Sequence, residues 1–204
     1  MTKFKNNLNI ILNYNPNIHH RKSIRLPGYD YASQGWYFVT ICVQDRECLF
    51  GEIVENNMIL NIIGKIIDYH WRKLSKHFKN IELDQYQIMP NHFHGIIYIG
   101  AGAKHSGEKD AIKCKRVDVN ASPLQMPCGT NSGSLGAIIQ NFKSVTSRKI
   151  NKINKSPGSH LWQRNYWESI IRTEKDLNRI RKYICENPLK WTKDKYQHKI
   201  FHKK

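Results

Sequence analysis

Residues Gly35 to Gln44 read GWYFVTICVQ. Aromatic and β-branched side chains dominate, and nothing after the opening glycine breaks the run, so it predicts a β-strand. A second run, His92-Phe93-His94-Gly95-Ile96-Ile97-Tyr98-Ile99, follows strand-like sequence that starts at Ile81 and passes through Tyr86-Gln87-Ile88. Nearer the first strand, Leu49 to Val54 and Met58 to Leu60 flank Asn56-Asn57 and predict a hairpin. Asn61 is expected to cap a helix running to about Phe78, with Ile63, Ile67, Trp71, Leu74 and Phe78 on one stripe. Strands and helices therefore alternate irregularly around an early hairpin. That pattern predicts an α+β fold, a central antiparallel β-sheet sandwiched by α-helices, and argues against a doubly wound parallel sheet.

Further along, Ser134 is expected to cap a helix with Leu135, Ile138, Ile139, Phe142, Val145 and Ile150 inward, and with Lys143, Arg148, Lys149 and Lys152 outward. An extended piece from Leu161 to Arg172 precedes Thr173-Glu174-Lys175-Asp176, which has the form of a capping box. The helix it starts should end at Asn187, because Pro188 disfavours continuation. Residues 100–133 hold no aromatic residue and collect Gly, Ser, Lys and Pro, as expected of a loop insertion. The expected organisation is a basic arm over 1–25, a single domain over 26–191 that carries this insertion, and a basic tail over 192–204.

With 204 residues, 40% hydrophobic and 24% charged, the chain has the composition of a globular domain. Its net charge of +17 is unevenly spread. Residues 1–25 hold five basic side chains and no acidic one, residues 26–133 hold eleven of each, and residues 134–204 hold seventeen basic and five acidic. The partner is expected to be a polyanion met mainly by the C-terminal third. Trp162, Tyr166, Trp167, Tyr183, Trp191 and Tyr196 interleave with those cations, which suits base stacking beside phosphate contacts and favours nucleic acid over membrane. The longest nearly apolar run, Gly95 to Ala103, falls far short of the roughly 20 residues that span a bilayer. The opening MTKFKNNLNIILNYN predicts neither signal peptide nor anchor. Five scattered cysteines without a CxxC pair exclude a disulfide framework and a cysteine zinc site, and suit a reducing cytoplasm.

Two features carry chemistry. His92 and His94 stand at i and i+2 of a strand, on one face, with α-carbons about 6.6 Å apart, while Phe93 and Ile97 face the core. Two such imidazoles can converge on one divalent ion; with an oxygen ligand, their chemistry suits Mg²⁺, Mn²⁺ or Zn²⁺. Tyr183 lies at the edge of the last helix's stripe of Leu177, Ile180 and Ile184, on a ridge with Arg179 and Asn187. Tyrosine can serve as a covalent nucleophile, though with an ordinary pKa near 10 it needs an adjacent metal or guanidinium.

MPNHFHGIIYI (Met89 to Ile99), LWQRNYWESIIR (Leu161 to Arg172) and YICENPLKW (Tyr183 to Trp191) together resemble the REP-associated tyrosine transposases. These belong to the HUH single-tyrosine superfamily, U being any hydrophobic residue. RLPGYDY and the strand GWYFVTICVQDRECLFG resemble the family's opening, so the resemblance runs from Arg25 to Trp191, apart from the 100–133 insertion. It implies a ferredoxin-like HUH endonuclease fold and a single-strand DNA endonuclease and strand transferase. His92 and His94 would hold Mg²⁺ or Mn²⁺, and Tyr183 would attack to leave a 5′-phosphotyrosine, with no nucleotide cofactor. Asn187 would be a third metal ligand, where many relatives carry Gln. Single-stranded or hairpin DNA would be the partner, bound through Lys143, Arg148, Lys149, Lys152, Arg164, Arg172, Arg179, Arg181 and Lys182. The working unit would be a monomer or a homodimer. A domesticated repeat-processing nuclease would share all these residues; a non-catalytic single-strand nucleic-acid-binding protein would not need His92, His94 and Tyr183 together.

Overall fold

The structure, a computed structural model, describes residues 29–100 and 133–193. The expected arm over 1–25, most of the 100–133 insertion and nearly all of the 192–204 tail lie outside the described residues.

The strand predicted first is β1, Gly35–Cys42. It is followed by a hairpin of β2 (Gly51–Val54) and β3 (Asn57–Leu60), then by α1 (Ile62–Arg72) and a single turn, α2 (Leu74–His77). Next come β4 (Ile81–Ile88), β5 (His92–Ile99), α3 (Leu135–Ile153), β6 (Trp167–Ile171) and α4 (Glu174–Cys185). The main sheet has the order β4-β5-β1-β6 with every neighbour antiparallel. The chain passes from β1 through α1 to β4 and leaves room for β5 between them. It then passes from β5 through α3 to β6, across β1. These are two interlocked split β-α-β units, the ferredoxin-like plan. Crossovers of one hand put both helices on the same side of the sheet, and α1 packs against α3 there.

Trp71 of α1, Phe93 of β5 and Phe142 of α3 meet at the centre of that layer, with ring centroids 4.4 to 5.6 Å apart. Gly95 makes the contact possible: a Cβ there would lie 2.5 Å from a ring carbon of Trp71. The opposite face is covered by α4, whose Leu177, Ile180 and Ile184 pack on Phe38, Ile96 and Ile171. Because both faces are covered, β5 is buried along nearly all its length, and its sequence reads as an almost continuous apolar run interrupted only where the histidines stand.

The caps form as expected. Asn61 accepts from the Gly64 N–H, Ser134 from Ala137 and Thr173 from Asp176. The hairpin turns one residue earlier than predicted, at Glu55-Asn56, because both adopt positive φ (47° and 64°) and form a two-residue turn. β2 also begins later than expected, at Gly51, because the Phe50 N–H bonds to Pro90 O and not to a hairpin partner. The final helix stops at Cys185 and gives way to a 3₁₀ segment over Pro188–Lys193.

Candidate active site at the junction of β5, β1 and α4

In β5 the alternation of a strand turns His92 and His94 toward α4, with Phe93 and Gly95 toward α1 and α3. Both histidines are buried, and their Nε2 atoms stand 3.0 Å apart. Each ring is held from behind. His92 Nδ1 donates to Asn91 Oδ1 at 2.8 Å, since an amide oxygen only accepts. The amide is itself oriented: Asn91 Nδ2 donates to Arg46 O at 3.1 Å. His92 therefore carries its proton on Nδ1, and its Nε2 presents an acceptor lone pair toward His94. His94 Nδ1 lies 2.8 Å from Thr40 Oγ1, its cross-strand neighbour on β1. A hydroxyl can donate or accept, so Thr40 tolerates either tautomer of His94.

The loop between β1 and β2 buttresses this turn. Val43 N–H bonds to Asn91 O and Phe50 N–H to Pro90 O, while Asp45 and Arg46 take left-handed φ values of 54° and 57°, which non-glycine residues seldom adopt. The Arg46 conformation aims its carbonyl at the Asn91 amide.

Tyr183 reaches the pair from α4. Its hydroxyl oxygen is 3.4 Å from His94 Nε2, and its ring meets the edge of Phe38 at 6.1 Å between centroids. One turn later Asn187 is 2% exposed, and no hydrogen-bond donor among the described residues reaches its Oδ1. Trp191 then brings its ring to 6.1 Å from that of His92.

These residues fit a divalent ion. Two donors 3.0 Å apart, each bonding at about 2.1 Å, correspond to nearly a right angle, the cis angle of an octahedral ion. A buried acceptor without a donor, such as Asn187 Oδ1, is costly unless something cationic or protic meets it. Among the described residues no group of three His, Cys, Asp or Glu could hold a metal, so a third protein ligand would have to be another residue type.

Residues 129–187 match the family of IS200-like transposases. An uncharacterized protein of Haemophilus influenzae is 41% identical over 184 residues, which span 89% of this chain and 95% of that protein. Over residues 129–187, the segment that carries Tyr183, the chain is similar to the IS200-like transposases. Its fold is that of a REP-associated tyrosine transposase: it superposes on one solved bound to a REP hairpin with a TM-score of 0.52 and 16% identity, over 82% of this chain and 73% of that one. Among the described residues, no helix is long and apolar enough to cross a membrane.

The expected DNA-binding residues do not share one surface. Lys143, Arg148, Lys149 and Lys152 ride on α3, across the sheet from Tyr183. Lys143 is not outward as expected: its ammonium donates to Gln163 O and Arg164 O at 2.6 and 3.0 Å, and burial lowers its pKa to about 8. Its place beside Phe142 and Thr146, at the flank of the buried stripe, sends the side chain inward. Arg181 is also engaged within the protein. It grips Asp84 of β4 in bidentate fashion, and that bond holds the carboxyl below its usual pKa. Arg179 pairs with Asp176 and Lys182 with Glu186 along α4, exposed contacts of little energetic weight. Arg164 and Arg172 are exposed at the two ends of the segment containing β6.

Thr40 and Asn91 escape the sequence reading. Strand parity places Thr40 on the face of Phe38 and Cys42, but its pairing with His94 depends on the β1–β5 register, which the sequence does not display. Asn91 sits next to His92, where Pro90-Asn91 reads as ordinary turn chemistry.

Proposed function

We propose that this protein is a transposase, a metal-dependent single-strand DNA endonuclease and strand transferase that cuts hairpin-associated DNA through a 5′-phosphotyrosine intermediate. The 3.4 Å approach of the Tyr183 hydroxyl to Nε2 of His94, beside a second imidazole held in the ligating tautomer, carries the reading. Mg²⁺ or Mn²⁺ held by Nε2 of His92 and of His94 and by Oδ1 of Asn187 would neutralise charge on the scissile phosphate and orient it for in-line attack.

The chain's own residues do the rest. Phe38 and His94 hold the Tyr183 ring edge-on from two sides, so the nucleophile is positioned before substrate arrives. A bond forms from the Tyr183 oxygen to phosphorus as the bond to the 3′ oxygen breaks. The phenolic proton leaves to solvent and the 3′ oxygen gains one, giving a 5′-phosphotyrosine and a free 3′-OH. One phosphodiester replaces another, so attack by a different 3′-OH rejoins the strand without a nucleotide cofactor. The excess of basic over acidic side chains in residues 134–204 supports contact with the DNA backbone. The REP hairpin bound by the solved transposase of the same fold supports a hairpin partner.

The test is cleavage of end-labelled hairpins with single-stranded flanks in the presence of Mn²⁺. His92→Ala and His94→Ala should abolish cleavage and keep DNA affinity within a few-fold, since affinity rests on phosphate contacts. Undiminished cleavage by both variants, or by wild type in excess chelator, would overturn the metal role.

A further inference from the structure

We propose that the exposed ring of Trp167 is a stacking platform for one base of the single-stranded DNA, next to the phosphate at the His92–His94 pair. The proposal rests on the reading of the site as DNA-cleaving and assigns it a nucleobase subsite.

The register places His94, Thr40 and Trp167 side by side on β5, β1 and β6. All three side chains therefore project from the face that carries α4. Two strand spacings separate the α-carbons of His94 and Trp167 by roughly 10 Å, within the reach of a short stretch of single strand. Aromatic contacts fill the interval: Phe38 stacks on His94 at 5.5 Å, and Trp167 meets Phe38 edge-on at 5.6 Å. Helix α4 covers Phe38, Ile96 and Ile171 on this face, yet Trp167, on the edge strand, remains 47% exposed. Tryptophan is highly buried on average, and this chain buries Trp162 nearby, with its indole N–H donating to Thr146. Among the described residues, no such partner layer covers the outer surface of Trp167.

The occupant follows from charge and shape. Exposed Arg164 and Arg172 bracket the strand, in the strongly basic third of the chain. An exposed aromatic ring on the same face as the histidine pair, in the basic third of the chain, matches a base with its neighbouring phosphates. Stacking of this kind tolerates any base, so Trp167 would fix the position of the strand and leave sequence readout to other contacts.

The probe is a DNA hairpin with a mixed-sequence single-stranded flank, bound to protein carrying Tyr183→Phe so that no adduct forms. In that background Trp167→Ala should weaken binding by roughly five- to a hundred-fold, and Trp167→Phe should restore most of it. In protein with Trp167 intact, photocrosslinking from 5-iodouracil placed along the flank should map to the peptide containing Trp167. An unchanged affinity in Trp167→Ala, a crosslink mapped elsewhere, or a change in oligomeric state without a change in DNA affinity would overturn the platform. Failure of the Tyr183→Phe protein to bind any such DNA would instead overturn the DNA-cleaving reading beneath it.

Discussion

Asn91 Oδ1 accepts the Nδ1 proton of His92 at 2.8 Å, and its amide is anchored on the Arg46 carbonyl, which a left-handed backbone turns toward it. One residue thereby decides which nitrogen of its neighbour faces His94. The contact links a strained loop between β1 and β2 to the tautomer of His92, a proposed metal ligand, through two hydrogen bonds in series.

Removing that partner should weaken metal binding without emptying the core. Asn91→Ala is expected to lower Mn²⁺ affinity by about 10- to 100-fold, measured by titration followed by electron paramagnetic resonance. Nitrogen-15 spectra of the histidines should at the same time show His92 losing its preference for the Nδ1–H tautomer. Unaltered affinity and tautomer in a folded variant would contradict the orienting role.

The Arg181–Asp84 pair joins α4 to an irregular stretch of β4, where the register with β5 shifts between Leu83 and Tyr86. The Arg181 hydrogen bond depresses the Asp84 pKa below its ordinary value of 3.8. Its stabilisation is therefore present above that value and lost as pH falls through the lower folded value. Asp84→Asn should lower Tm at neutral pH and flatten the loss of stability below about pH 4. Cleavage should slow, because the helix bearing Tyr183 loses a tether, while DNA affinity holds. A Tm difference from wild type that stays constant across pH 2 to 7 would contradict the linkage.

Gly95 lies between His94, which faces α4, and the aromatic layer on the other side of the sheet. An alanine Cβ there would stand 2.5 Å from Trp71 and 2.8 Å from Phe93, and both rings are fully buried. Gly95→Ala should cost about 1–3 kcal/mol of stability as the rings are forced apart, read as a fall in chemical and thermal midpoints. A midpoint equal to wild type would show that the Trp71 layer yields freely.

The sheet and helices were legible because their signals are local and periodic: the β1 run, the helical stripes of α1, α3 and α4, and capping residues at each start. The histidine pair was legible for the same reason, since i and i+2 of a strand must share a face. What escaped depends on residues distant in sequence. Nothing near Arg181 marks it as a partner for Asp84, 97 positions away, and nothing near Lys143 announces the carbonyls of residues 163 and 164. The turn at Glu55-Asn56 was displaced by one residue because Glu55 takes a left-handed conformation that its type seldom adopts. Asn187 is the intermediate case: the resemblance nominated it as a ligand, and the structure adds its burial and its unmet acceptor.

The account turns on the Tyr183 hydroxyl, which Tyr183→Phe removes with the ring kept; on folding that change should cost about 1 kcal/mol or less. Wild type should form a covalent adduct with a labelled hairpin in Mn²⁺, stable on a denaturing gel, and peptide mapping should place the DNA on the segment containing Tyr183. Tyr183→Phe should bind the same hairpin, form no adduct and release no 3′-OH fragment, while Tyr98→Phe and Tyr166→Phe keep the adduct. An adduct that persists in Tyr183→Phe, or that maps to another residue, would contradict the account.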